Sequence, residues 1–454
     1  MKQKETLSLE SRLFSEFSEK AIGIFGLGRE GRSTYNFFRQ LFPEKELILA
    51  DEFLSSKEQL PFLKEDKNIK IFSKEEIYTK IAPLCEAIFK APGIPYCKFP
   101  KEAQTKITSQ VDLFLKYFSH QTIGITGTKG KSTTSSLAYA CLQSCGVKSI
   151  LAGNIGVPLL DKFYEIDSQT MIVAELSAHQ LENITVAPKY AVFLNLFEEH
   201  LDAFGTFEAY RDAKYNIVAK QKHGDIVLHG SLNKEKLSKI YGNNRILHPI
   251  TIDDYYTNFS RYDIKLQGSC IMQPKHLFGD HNLFNIAVVY KLCSILGLNE
   301  QNIINTCLEF KGLAHRLEFI GSVEGVNFYN DSISTTPQST IAAIETLKNV
   351  ETLLLGGMDR GINYDILGKE IPKHKIKNIA LIGKAGERIS KILQDAGYRC
   401  NYLTCDNYSE IILWAKSVTE AGKAVLLSPA AASYDQFKNF EQRGDTFRQL
   451  VLDN

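Results

Sequence analysis

An α/β chain of three domains, each built on a mostly parallel sheet, is the fold class the sequence predicts. Two observations predict it. Short apolar runs of strand length recur along the chain and alternate with segments of helical period, the signature of βαβ units. At 454 residues the chain is also too long for one ordinary core. Composition agrees, with 44% hydrophobic and 23% charged residues and a formal net charge of +1. Such a balance describes a globular protein with no global field to draw in nucleic acid, so anionic ligands must be held by local sites.

The opening stretch, residues 1–20, is polar and carries Glu5, Glu10, Glu16 and Glu19. It lacks the apolar core of a signal peptide. No apolar run approaches the roughly 18 residues that span a bilayer. The nine cysteines are scattered without a Cys-x-x-Cys pair, and Cys141 and Cys145, four apart on one helix face, read as reduced thiols. Together these features predict a cytoplasmic protein without membrane insertion.

The first strand-like run, Ala21–Phe25, leads into Gly26-Leu-Gly-Arg-Glu-Gly31 and a helix to about Leu41. A second run, Glu46–Ala50, ends at Asp51, twenty residues beyond Gly31. This is a Rossmann-like arrangement. The glycines allow a tight turn and close approach of backbone to a diphosphate, and the helix start supplies partial positive charge. Arg29 and Glu30 fill variable positions where a nicotinamide site demands no charge. The motif therefore specifies a diphosphate more firmly than its owner, which is NAD(P) or a UDP-sugar.

The next run, Thr122–Ile125, opens a P-loop-type segment, Thr126-Gly-Thr-Lys-Gly-Lys-Ser132, followed by a helix through Leu142. Backbone N–H groups of Gly127, Thr128, Lys129, Gly130 and Thr133 can cradle a triphosphate. Lys131 can reach its terminal phosphates, and the Ser132 hydroxyl can ligate Mg²⁺. The loop is not a strict Walker A, because Ile125 stands where that pattern wants glycine. A third region begins near Leu317, alternates from Val323 to Tyr329, and continues with Thr352–Leu355, Ile379–Ile382 and Ala424–Leu427. It reads as a second Rossmann-like domain. Boundaries near residues 118 and 313 divide the chain into 1–118, 119–313 and 314–454. The stretch 228–275 is polar and irregular with a β-rich bias.

Taken together, the motifs resemble the Mur ligases, and within them the glutamate-adding branch. They are Thr126–Ser132, Gly153-Asn-Ile-Gly156, Glu175-Leu-Ser177, Asn195 through His200-Leu-Asp202, Tyr210-Arg-Asp-Ala-Lys214, His281-Asn-Leu-Phe-Asn285, His315-Arg-Leu-Glu318, Asn330-Asp-Ser332, and Leu427 through Ser433-Tyr-Asp-Gln-Phe-Lys-Asn-Phe-Glu-Gln-Arg-Gly444. The resemblance covers nearly the whole length, and the last segment separates the glutamate-adding branch from its relatives. It implies an ATP-dependent ligase that adds D-glutamate to UDP-N-acetylmuramoyl-L-alanine through an acyl phosphate, in peptidoglycan precursor synthesis. L-glutamate is the alternative, and an NAD(P)-dependent oxidoreductase the more distant one.

The resemblance also implies roles. Lys131 neutralises the β- and γ-phosphates, while Ser132 and Glu175 hold one Mg²⁺. His200 and a carbamylated Lys214 hold a second. Asn282 and Asn285 contact the adenine side of ATP, and Arg316 and Asp331 meet its γ-phosphate and ribose. Asn154 touches the UDP substrate, whose nucleotide lies near Gly28, Arg29, Glu30 and Asp51. Arg360, Ser433 and Phe440 hold glutamate. A monomer acting on small molecules is implied. One departure stands out: after Asn330-Asp-Ser332, where relatives usually carry lysine, this chain has Ile333-Ser-Thr-Thr-Pro337. The loss removes a cation from the third-domain site; the loop Gly28-Arg-Glu-Gly31 and the segment Thr108-Ser-Gln-Val-Asp112 also differ from the commonest forms, and these changes together resemble a subgroup that adds L-glutamate.

Overall fold

The computed structural model describes residues 2–54, 60, 63, 65–230, 246–263, 274–277 and 279–453. Its described residues form three sheets. The first holds β1 (Ile22–Phe25), β2 (Leu47–Asp51), β3 (Ile69–Ser73), β4 (Ala87–Lys90) and β5 (Ile107–Thr108). All its pairings are parallel, in the order β3-β2-β1-β4-β5. Strand order reverses between β1 and β4, and the crevice outside the carboxyl ends there is where such sheets bind ligands. The glycine turn after β1 lies at this point and opens the helix Arg29–Leu41.

The second sheet contains β6 (Thr122–Thr126), β7 (Ser149–Gly153), β8 (Met171–Glu175), β9 (Tyr190–Phe193), β10 (Ile226–His229) and β11 (Ile246–Pro249). It is also parallel throughout, in the order β11-β10-β9-β6-β8-β7. β6 is central and every residue in it is buried, and the hydroxyls of Thr122 and Thr126 at its ends donate to the carbonyls of Phe118 and Leu176. Of the stretch 228–275, expected to be β-rich, the described residues hold the end of β10, β11 and one helix. β11 is followed by a helix, Ile252–Asp263, whose acidic first turn suits a helix start. Residues 231–245 and 264–273 lie outside the described residues.

The third sheet comprises β12 (Glu318–Val323), β13 (Val326–Asn330), β14 (Val350–Gly356), β15 (Asn378–Ile382), β16 (Asn401–Thr404) and β17 (Ala424–Leu427). Its order is β12-β13-β17-β14-β15-β16, parallel except for the β12–β13 hairpin. The alternation from Val323 to Tyr329 is therefore not one strand. Glu324 and Gly325 both take positive φ, 52° and 82°, and fold the chain back in a two-residue turn. Such turns match the right-handed twist of the flanking strands.

The chain divides into two compact units, Met1–Ile271 with Phe284–Cys307, and Met272–Leu283 with Leu308–Asn454. The first unit contains the first two sheets. One hydrophobic cluster runs from Leu13 and Phe38 through Phe163 to Phe193 and Val227, so these two sheets share a core. Phe163 packs edge-on against Phe37 at 4.9 Å and Phe118 at 5.0 Å. The second unit has separate clusters on the two faces of its sheet. No described helix is long and apolar enough to cross a membrane.

Candidate active site

β6 delivers the chain to a loop in which Gly127 and Gly130 both take positive φ, and Gly130 caps the helix Lys131–Ser144. At Gly130 φ is 86°, and a Cβ there would stand 2.8 Å from Oδ1 of the buried Asn285. Only glycine meets both demands. The loop is braced from behind. Asn195 accepts from Lys129 N at 2.8 Å and donates to Lys129 O at 3.0 Å, while Thr128 Oγ1 meets Tyr210 OH at 3.0 Å and accepts from Phe197 N. Sequence reading placed Asn195 and Tyr210 in matching segments but assigned them no work. Their pairing with the loop is a long-range contact that no local pattern announces.

Two lysines converge on one oxygen. Lys131 Nζ donates to Gly127 O at 3.0 Å and to Thr128 O at 2.9 Å, and Lys214 Nζ donates to the same Gly127 O at 2.8 Å. Lys214 is only 1% exposed and lies 5.0 Å over the Tyr210 ring. Burial, with the like charge of Lys131 adding to it, pushes the Lys214 ammonium down to about 7. A lone lysine on a helix is ordinarily solvated and charged; this one is a buried amine that loses its proton near neutral pH.

Beside the loop, Glu175 ends β8 with 1% exposure. Its Oε1 accepts from Asn154 Nδ2 at 2.6 Å, and its Oε2 is buried with no hydrogen-bond partner among the described residues. A buried carboxylate oxygen without a partner is costly, and a bound cation removes the cost. Among the described residues no three His, Cys, Asp or Glu side chains gather into a metal cage. Mg²⁺ is usually held by one or two carboxylates together with substrate phosphates, so the donor set fits that ion. Ser132, half-buried, is the second residue of the helix that this loop opens, and Thr133 behind it is buried. His200 is exposed in a left-handed conformation (φ 57°) before the helix Leu201–Phe204, 5.6 Å from the His179 ring.

At the first sheet's reversal, Gly28 and the backbone of Arg29 and Glu30 form the helix start. Asp51 is occupied by the turn itself, accepting from Leu27 N at 2.8 Å and Phe53 N at 3.0 Å. The side chains of Arg29 and Glu30 turn to the second sheet, Arg29 to carbonyls of residues 153–156 and Glu30 to Gln180.

In the second unit, Asp331 follows β13 and is 3% exposed. It accepts from Leu317 N at 3.1 Å and Ser428 Oγ at 2.8 Å, and burial raises its carboxyl to about 6. Exposed Arg316 sits between His315 and Leu317, both at positive φ, 63° and 45°. Strain of this kind is held only where the surroundings fix it. Asn282 lies in the first turn of the helix Asp280–Ile295, which also carries Asn285. Ser433 is buried and Arg360 exposed. Phe440 opens the last helix, so its N–H is a first-turn donor without an intrahelical acceptor. The sequence did not single out Arg443. It is 1% exposed, and its guanidinium donates to Ser332, Ala431 and Ala432, pinning the strand-end loops beside Ser433.

Residues 125–293 match the model of the Mur ligase middle domain, and residues 315–431 that of the Mur ligase glutamate ligase domain. A protein from Ruminiclostridium cellulolyticum named UDP-N-acetylmuramoylalanine–D-glutamate ligase is 33% identical over 81% of this chain and 82% of its own. One of the same name from Caldanaerobacter subterraneus subsp. tengcongensis is 31% identical over 96% of this chain and 99% of its own. Among solved structures, MurF ligase from Thermotoga maritima in complex with ADP aligns with a TM-score of 0.56 at 15% identity, over 95% of this chain and 94% of that one. The MurC ligase of the same organism gives 0.54 at 15% identity, over 96% and 100%. At these identities the structural likeness speaks for the fold.

Proposed function

This chain belongs to the Mur ligase family, and from that premise we propose that it joins D-glutamate to UDP-N-acetylmuramoylalanine at the expense of ATP. The relatives' names specify the D enantiomer, which is favoured over L-glutamate. The glycine turn after β1 is then a Rossmann-like site used for the diphosphate of a UDP-sugar instead of a nicotinamide. The observation that carries the reading is the convergence of Lys131, Lys214 and the loop carbonyl of Gly127 beside the half-unpaired Glu175.

In this reading the alanyl carboxylate attacks the γ-phosphorus of ATP, ADP leaves, and an acyl phosphate forms. The amine of glutamate then attacks the acyl carbon and phosphate departs, leaving the amide. Lys131 and the loop N–H groups of Gly127 to Thr133 offset charge on the phosphates. Ser132 and Glu175 would hold one Mg²⁺, and His200 with a carbamylated Lys214 a second; the ions supply charge neutralisation and alignment. Lys214 suits carbamylation because a neutral amine is what adds to CO₂, releasing one proton and leaving an oxygen ligand. Asn282, Asn285, Arg316 and Asp331 bind the nucleotide. Gly28, Arg29, Glu30, Asp51 and Asn154 line the UDP substrate, and Arg360, Ser433 and Phe440 take glutamate. We assign these tasks to three functional domains, 1–118, 119–313 and 314–454, in a cytoplasmic monomer.

The test is phosphate release with ATP, UDP-N-acetylmuramoyl-L-alanine and D- or L-glutamate in parallel. Release dependent on all three substrates, with D-glutamate preferred, is expected. Turnover with L-glutamate alone would reverse the enantiomer, and no ATP binding in the presence of magnesium would remove the reading.

A further inference from the structure

Glu175 stands between two turns of the second sheet, and both are gripped from the first. The turn after β7 carries Asn154, whose amide holds Glu175 Oε1. Arg29 donates to three carbonyls of that turn: Asn154 at 2.9 Å, Gly156 at 3.2 Å and Gly153 at 3.3 Å. The turn after β8 carries Gln180, which forms a reciprocal cap with Ser177 two residues beyond Glu175. Glu30 accepts from Gln180 Nε2 at 2.6 Å. Lys90, at the end of β4 and 5% exposed, reaches Glu182 at 3.5 Å just beyond the short helix Ala178–Leu181 that this cap opens. Gln110 Nε2, also buried, donates to the Glu30 carbonyl at 3.1 Å.

A guanidinium spread over three carbonyls fixes the path of the turn it covers, since each acceptor is a backbone group that cannot rotate away. The same two residues, Arg29 and Glu30, open the helix whose N-terminus faces the diphosphate crevice. They are thus in contact with both functional regions, through their backbone on one side and their side chains on the other. Side chains committed in this way hold Glu175's surroundings in place; they are not spare for a phosphate.

We propose that Arg29 and Glu30 are positioning residues for Glu175, holding the metal-side carboxylate in register with the diphosphate loop. This rests on the reading of Glu175 as a magnesium ligand. Partners in the shell behind a metal ligand shift metal affinity by about tenfold or more when removed. By linkage, whatever a UDP substrate seated on the first sheet does to magnesium-nucleotide binding on the second is matched by an equal effect in return.

The experiment is calorimetric titration of the full chain with ADP across a range of Mg²⁺ concentrations, without the UDP substrate. Arg29→Ala is expected to raise the Mg²⁺ needed for half-maximal ADP binding by about tenfold, with affinity for metal-free ADP unchanged. Arg29→Lys should fall between. Glu30→Gln keeps the acceptor oxygen and should match the parent, whereas Glu30→Ala should follow Arg29→Ala. Thermal melts check each variant, and Arg29→Lys with Glu30→Ala carry the test if Arg29→Ala does not fold. Glu175→Gln separates the two levels. If it leaves the magnesium requirement unchanged, the metal reading fails and this inference with it. If Glu175→Gln raises the requirement and neither Arg29→Ala nor Glu30→Ala does, the inference alone is overturned.

Discussion

Lys214 and Asp331 show how far a residue's chemistry departs from its letter in the sequence. Pattern alone marks Lys214 as a solvated lysine, and the family resemblance alone singles it out; its burial and its sharing of Gly127 O with Lys131 are three-dimensional facts. With its ammonium lowered to about 7, the amine is mostly neutral above that pH and mostly charged below. At fixed dissolved ¹³CO₂ the chain should therefore show a carbamate carbon resonance at pH 8 that fades as pH falls below about 7 and is missing in Lys214→Ala. A parent sample silent at pH 8 would rule the carbamate out. Asp331 works in the opposite direction. Its carboxyl is raised to about 6, so the folded chain holds a proton there that the unfolded chain has released between about pH 4 and 6. Stability from this group is lost as pH rises through that window. Asp331→Asn should accordingly stabilise the second unit by an amount on the order of 2 kcal/mol above pH 6, with the gain vanishing towards pH 4 and ligase activity lost throughout. Denaturant midpoints at pH 4.5 and 7.5 measure this, and an equal gain at both would contradict the burial argument.

At the scale of elements, the strands were readable because parallel strands buried on both faces are continuous apolar runs. Ala424–Leu427 begins and ends where the sequence put it. The hairpin of β12 and β13 was passed over although Glu324-Gly325 sets Val323 and Val326 three apart and so breaks the alternation; the paired positive φ values show that break to be a turn. The glycine that ends the last motif has a reason that sequence could not supply. Gly444 lies within the helix Phe440–Asp453, where alanine would normally be preferred by about 1 kcal/mol. A Cβ at that position would meet His315 Nδ1 at 2.2 Å. His315 cannot retreat easily, being buried, at positive φ and paired with Asn330 at 3.0 Å. Gly444→Ala should therefore destabilise the second unit by roughly 1–3 kcal/mol despite better helix propensity. A denaturation midpoint at or above that of the parent would show that the helix shifts to admit the methyl group.

For the whole molecule, the count of sheets was legible and their energetic grouping was not. Three βαβ regions suggest three independent cores, yet the first two sheets share one cluster in which Phe37, Phe114 and Phe163 are common members. Interdigitated aromatic rings come from residues far apart in sequence, so periodicity within each region says nothing about whether two regions meet. The Arg29 and Glu30 contacts add a polar seam to the same junction. The third sheet keeps its own two clusters, and one of them packs against Trp414, the only tryptophan in the chain. Cooperativity follows shared burial. The first two sheets should then unfold together, and the third in a transition of its own. Tryptophan fluorescence would report only that transition, while far-UV circular dichroism would register both. Denaturant titration should thus give non-coincident curves, with the fluorescence midpoint matching one of two steps in the dichroism. A single coincident transition by both probes would mean that the two units are energetically one. Three steps in the dichroism would mean that the shared aromatic cluster does not couple the first sheet to the second.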